Sequence, residues 1–116
     1  MNFAKTGRQG EDLAKGFFTG LGYRFIECNY RNKSGEIDLI FMDGEVLVLV
    51  EVKTRTRWSA VEPELLIDKR KANRILKCAE IYITNTELHF NEVRIDALFV
   101  EIKRGGPVFK HIKSFY

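Results

Sequence analysis

Between Glu36 and Arg55 the chain reads EIDLIFMDGEVLVLVEVKTR, two apolar runs of strand length on either side of Asp43-Gly44. Asp-Gly between alternating apolar residues is the strongest short-range signal for a β-hairpin, so this stretch fixes a pair of antiparallel strands before anything else is known. With Asp43-Gly44 as the two-residue loop, Met42 faces Glu45, Asp38 faces Leu49 and Glu36 faces Glu51. Side chains alternate across a strand, which places Ile37, Leu39, Phe41, Val46, Val48, Val50 and Val52 on one wholly apolar face. The other face is divided. Near the turn it carries Ile40, Met42, Leu47 and Leu49; away from the turn it carries Glu36, Asp38, Glu51, Lys53 and Arg55. Two apolar faces near the turn imply a sheet covered on both sides by helices, and the charged end of one face implies an opening in that cover.

Ionised groups inside a sheet cost several kcal/mol unless they are paired, hydrated or bound to a metal. In this register Asp38 and Glu51 are diagonal neighbours, roughly 7 to 8 Å apart between backbones and closer at their oxygens. A divalent cation relieves their repulsion, and hard carboxylate oxygens with water suit Mg²⁺ or Mn²⁺. Lys53, one alternation farther along, reaches the same place. A metal with an ammonium beside it is equipment for phosphodiester hydrolysis, because the cation acidifies water and both charges stabilise the phosphate transition state. A solvated strand end with a lysine that blocks aggregation is the plainer alternative. The absence of charge from the opposite face favours a site.

Elsewhere the periodicity changes. Thr6 followed by Gln9 is a capping-box signal, predicting a helix that runs to about Thr19 and stops at Gly20 and Gly22. Its buried stripe is Gly10, Leu13, Ala14, Phe17, Phe18 and Leu21, with Glu11 at the margin. Tyr23–Arg31 has strand composition, and Asn32–Gly35 is turn chemistry. A second helix, capped by Asp68, has the stripe Ala72, Ile75, Leu76, Ala79, Tyr82 and Ile83. Glu92–Lys103 returns to strand, Gly105–Pro107 breaks it, and a short last strand follows. The expected fold is α/β, a central mixed sheet flanked by helices in the order αβββαβ(β), as one domain over residues 1–116.

Hydrophobic residues are 45% and charged residues 30% of the chain, which suits a globular domain. No run approaches the ~18 apolar residues of a membrane span, and the start of the chain lacks a signal-peptide core, so no membrane partner and a cytoplasmic location are expected. Cys28 and Cys78 are read as reduced thiols. The net charge of +3 permits an anionic polymer as partner without demanding one. Glu36 is expected in a salt bridge, Arg94 with Asp96 in a structural pair, and His89 and His111 at the surface or in packing.

Asp38, twelve intervening residues and then Glu51-Val52-Lys53 resembles the D…ExK core of the restriction-endonuclease-like nuclease superfamily. More closely, GRQGEDLAKGFF, GEIDLI, VEVKTR and VRIDAL together resemble the YraN family of small uncharacterised bacterial proteins, which is similar in turn to archaeal Holliday-junction resolvases. The resemblance implies a restriction-endonuclease-like fold and a metal set of Glu11, Asp38 and Glu51, with Lys53 completing the catalytic residues. DNA is the expected substrate, with branched or damaged DNA as the candidate form, and RNA stays open. Arg55, Arg57, Lys69, Arg70, Lys71 and Arg74 are the candidate phosphate contacts, with Trp58 available for stacking or packing. No motif for reading bases is visible, so recognition by shape is expected. A twofold homodimer would suit symmetric cutting, with apolar residues around HFNEV or KSFY as its interface. The rival reading is a noncatalytic nucleic-acid-binding or protein-interaction module on the same fold.

Overall fold

The computed structural model describes residues 3–55 and 69–116, with side chains from residue 7 onward. Helix α1 (Phe3–Gly20) precedes three strands, β1 (Arg24–Asn32), β2 (Gly35–Asp43) and β3 (Val46–Arg55). Helix α2 (Lys69–Asn85) and the strands β4 (Glu92–Glu101) and β5 (Val108–Ile112) complete the described fold. The strands form one sheet in the order β1-β2-β3-β4-β5. Only β3 and β4 are parallel; the other neighbours are antiparallel. The mixed sheet follows from the connections, since short turns join antiparallel strands whereas a parallel pair needs a crossover long enough to contain α2.

The two helices cover opposite faces. Against α1 lie Leu39, Phe41, Val48, Val50, Leu98 and Val100, packed on Ala14 and Phe18. Against α2 lie Ile40, Met42, Leu47, Leu49 and Ile95, packed on Ile75, Cys78, Ala79 and Tyr82. This is the double cover expected from the hairpin. Leu76 departs from the expected stripe and is 42% exposed. The inward face is instead Ile75, Cys78, Ala79 and Tyr82, spaced at i, i+3, i+4 and i+7; Leu76 lies about 100° round from it.

Helix α1 starts earlier than its capping signal suggested, so Thr6 lies inside it. Ala4 and Lys5 are good helix formers and give the backbone no reason to stop there. Its C-terminus behaves as expected. Gly22 takes a φ of 92°, its N–H donates to the Thr19 carbonyl, and the Tyr23 N–H donates to that of Phe18. This is a Schellman ending, and the Tyr23 ring packs 5.4 Å from that of Phe18 to close it.

The hairpin loop is Gly44-Glu45 rather than Asp43-Gly44, because Asp43 pairs with Val46, Ile40 with Leu49 and Leu39 with Val50. Gly44 has a φ of 59°, and a positive φ at the first loop position is what a type II′ turn uses. Moving the loop by one residue moves each partner by two, so the faces of the paired segment stay as expected. Asp38 is no longer diagonal to Glu51; the register, continued, sets them opposite each other.

It does not continue, however. Pairing of β2 with β3 ends at Leu39–Val50, and alternation fails at the same point. Ile37 belongs with the α2-side core while Leu39 belongs with the α1 side, so Ile37 is on the opposite face from the one expected. Its partner Tyr30 likewise lies on the α2 side, 4.8 Å from the Tyr82 ring, whereas Cys28, paired with Leu39, lines a cavity beneath α1. Between Cys28 and Tyr30 sits Asn29 with a left-handed φ of 53°. That one residue lets β1, and with it β2, exchange faces. Asn tolerates the conformation better than other non-glycine residues.

Helix α1 approaches β3 closely at Gly10. A Cβ built there would stand 1.8 Å from Thr54 Oγ1 and 2.7 Å from Thr54 Cβ. Thr54 is β-branched and cannot swing its whole side chain away. Gly10→Ala is therefore expected to cost about 1–3 kcal/mol in urea unfolding and to displace α1. Thr54→Gly in the same chain should be less damaging than the two separate losses added together. Additive losses would mean that the two residues do not meet.

Phe90 and Tyr116, in the segments expected to offer a dimer interface, pack partly buried against the α2-side core. They serve this chain's own fold first. Val93, in the same region, is exposed. No described helix is long and apolar enough to cross a membrane.

Candidate functional site

The site forms where β2 and β3 separate. Beyond Leu39–Val50 the strands no longer bond to each other through the ladder, and the Asp38 side chain takes over: its Oδ2 accepts the Val52 N–H at 2.7 Å. A carboxylate thus holds an orphaned strand amide. Glu51 is buried on β3, and its Oε1 is 3.1 Å from Lys53 Nζ and 3.0 Å from Lys71 Nζ. Lys53 comes from the same strand and Lys71 from the first turns of α2, so a single carboxylate oxygen ties the sheet to the helix.

The electrostatics are uneven. Burial pushes the Asp38 carboxyl up to about 8, with further pushes from Glu51, Glu11 and Glu36 that the Val52 N–H only partly opposes. Glu11 on α1 is half-buried; burial raises its carboxyl too, a hydrogen bond with the Asn29 side chain opposes this, and Glu36 and Asp12 add to the rise. Asp38 on β2 therefore feels Glu11 from α1 and Glu51 from β3 across the opening. Among the described residues no three of His, Cys, Asp and Glu stand close enough to enclose an ion by themselves. The donor set still fits a hard divalent cation that keeps several waters, since Asp38 and Glu51 offer oxygen and Asp38 carries an electrostatic strain that positive charge relieves.

Glu36 is at the rim, paired with Arg31 Nε at 2.9 Å as expected. It shares with Gly35, Asp38, Glu51, Lys71, Arg74 and Ile75 the lining of a pocket of about 260 Å³. The basic residues divide. Lys71 and Arg74 line that pocket, Lys69 and Arg70 are exposed at the start of α2, and Arg55 is exposed at the end of β3. Arg57, Trp58 and the cap residue Asp68 lie outside the described residues.

The sequence model of the uncharacterised protein family UPF0102 matches residues 10–103. The chain belongs to UPF0102. A UPF0102 protein of Dictyoglomus turgidum is 39% identical over 108 residues, covering 93% of this chain and 92% of its own. UPF0102 proteins of Dehalococcoides mccartyi and Syntrophus aciditrophicus are each 36% identical, over 113 and 112 residues, covering 97% of this chain and 93% and 88% of their own.

Two features of this UPF0102 chain were not foreseen. Asn29 bonds to Glu11 and makes the backbone crossing beside Asp38; an Asn in the middle of a run with strand composition was the available signal. The second is a polar network beneath α1. Fully buried Asp96 accepts from Arg94 Nε at 2.8 Å and from the Ser114 N–H at 3.0 Å, and it lies 2.8 Å from His111 Nε2. Arg94 also donates to the Tyr23 hydroxyl at 2.8 Å. The expected Arg94–Asp96 pair is present, and His111 packs edge-on against Phe17 and Phe18. His89 is exposed, Cys28 and Cys78 are free thiols, and Cys78 is buried in the core.

Proposed function

We propose that this UPF0102 chain is a metal-dependent endonuclease of the restriction-endonuclease-like kind, hydrolysing phosphodiester bonds in DNA and recognising branched or damaged DNA by shape. The observation that carries the reading is the placing of Asp38 and Glu51 on separating strand ends, with Lys53 3.1 Å from Glu51. Asp38 and Glu51 would hold Mg²⁺ or Mn²⁺, with Glu11 reaching it from α1. When bound, the cation supplies charge against the phosphate and a more acidic water. Asp38 keeps its orientation through the Val52 N–H. Lys53, on a rigid strand, positions an ammonium where a phosphate oxygen or the attacking water can meet it. Arg55, one alternation farther along β3, would hold the nucleic-acid backbone, and Lys69 and Arg70 would hold more distant phosphates.

Calorimetric titration of Mn²⁺ into the wild type and into Asp38→Asn, followed by incubation of each with linear and branched DNA, tests this reading. Binding and cleavage by the wild type, both absent from a folded Asp38→Asn, is the expected result. Full cleavage by Asp38→Asn would overturn the assignment. The noncatalytic reading has one observation of its own, since two ammonium groups already satisfy Glu51. A salt-sensitive DNA affinity indifferent to Mg²⁺, with no cleavage, would decide for it.

A further inference from the structure

We propose that Lys71 holds the place of a divalent cation on Glu51 in the metal-free protein, and that cation binding releases it to a nucleic-acid phosphate in the adjoining pocket. The inference rests on the metal-site reading above and adds to it a coupling between the two ligands. Two ammonium groups converge on the same oxygen, Glu51 Oε1, at 3.0 and 3.1 Å. Positive charge thus already occupies the position where a cation would bind Glu51. Lys53 is fixed to the strand that carries Glu51. Lys71 arrives from α2 across the pocket, at the end of a flexible four-carbon stem, and is the partner able to leave without moving the backbone.

The pocket offers a destination. It encloses about 260 Å³, and its wall carries Lys71 and Arg74 one helical turn apart. At about 30 Å³ per water that volume accommodates several waters, or a phosphate group with fewer. Its charge decides when an anion can enter. Lys71 is engaged by Glu51, and Glu36 and Glu51 stand in the same lining as Lys71 and Arg74, so a phosphate meets the full pull of the pocket only when a divalent cation takes over Glu51 and adds its own charge. Cation first, phosphate second, is then the order the charges impose, and Lys71 takes part in both steps.

The test is Mn²⁺ binding, by calorimetry at low salt without nucleic acid, to the wild type, Lys71→Met, Arg74→Met and Asp38→Asn. Removing the competitor should tighten Mn²⁺ by about fivefold or more in Lys71→Met, a gain expected of a lost ion pair, while Arg74→Met stays within about twofold of the wild type. With a phosphorothioate DNA duplex as probe, the Mn²⁺-dependent gain in affinity should shrink in Lys71→Met. Unchanged or weaker Mn²⁺ binding in Lys71→Met, with the wild type binding and Asp38→Asn not, overturns the role of Lys71 and leaves the metal site standing. Equal tightening in Lys71→Met and Arg74→Met overturns direct competition in favour of a general field. If none of the four chains binds Mn²⁺, the metal reading fails and this inference fails with it.

Discussion

At pH 8 and without metal, Asp38→Asn is expected to be more stable than the wild type by about 2–4 kcal/mol, and the two should converge near pH 4. The Asp38 carboxyl ordinarily titrates at 3.8, and in the fold burial and the neighbouring acids push it up to about 8. Between those values the native state binds more protons than the unfolded state, so stability falls as pH rises through the window. Below it both states are protonated; above it the whole penalty applies. One pH unit is worth about 1.4 kcal/mol, and relaxation around the charged group removes part of the full shift. Asparagine keeps an acceptor for the Val52 N–H but cannot ionise. Urea unfolding at pH 5 and pH 8 measures the difference directly. Parallel pH profiles for wild type and variant would show that Asp38 does not carry this penalty. Saturating Mn²⁺ should restore the wild type at pH 8 and leave the variant unchanged, because only the wild type has the charge that the cation offsets. The residue proposed to bind the cation is thus one whose charge destabilises the fold in the cation's absence.

Much of this site could be read in the hairpin. Binary alternation placed Asp38, Glu51 and Lys53 at one opening, and the faces near the turn stood even though the loop is Gly44-Glu45, because that displacement preserves the alternation. Alternation could not reveal its own failure at Ile37. That requires the left-handed backbone of Asn29 on the neighbouring strand, and a residue's φ depends on tertiary packing as well as on its type. Lys71 was legible as a basic residue on α2, whereas its contact with Glu51 depends on how α2 docks over β2 and β1. The Asp96 network was legible only as the pair Arg94–Asp96. His111 and Ser114 come from beyond the Gly105–Pro107 break, and no local pattern links them to β4.

Asp96→Ala should be the most damaging substitution beneath α1, with a loss of about 3–5 kcal/mol in urea unfolding. The carboxylate is fully buried, and its removal leaves the largely buried Arg94 guanidinium without its ionic partner. It also takes the acceptor from the Ser114 N–H and the partner from His111 Nε2. Arg94→Met added to Asp96→Ala should recover part of the loss, since it removes the stranded charge; no recovery would place the damage in the β5 end of the network. The pH dependence separates this network from the site. Burial opposes ionisation of Asp96, but His111, Arg94 and the Ser114 N–H outweigh it and hold its carboxyl below the usual range. A lowered carboxyl has the opposite sign to that of Asp38. Its stabilisation is present above 3.8 and is lost as pH falls through the folded value. Asp96→Ala should therefore flatten the acid limb of the stability profile and leave the decline between about 4 and 8 in place, whereas Asp38→Asn should do the reverse. Val50 on β3 pairs with Leu39 on one side and with Asp96 on the other, so Asp38 stands one residue along β2 from the rung that holds Asp96, and of these two neighbouring acids one anchors the scaffold while the other strains it.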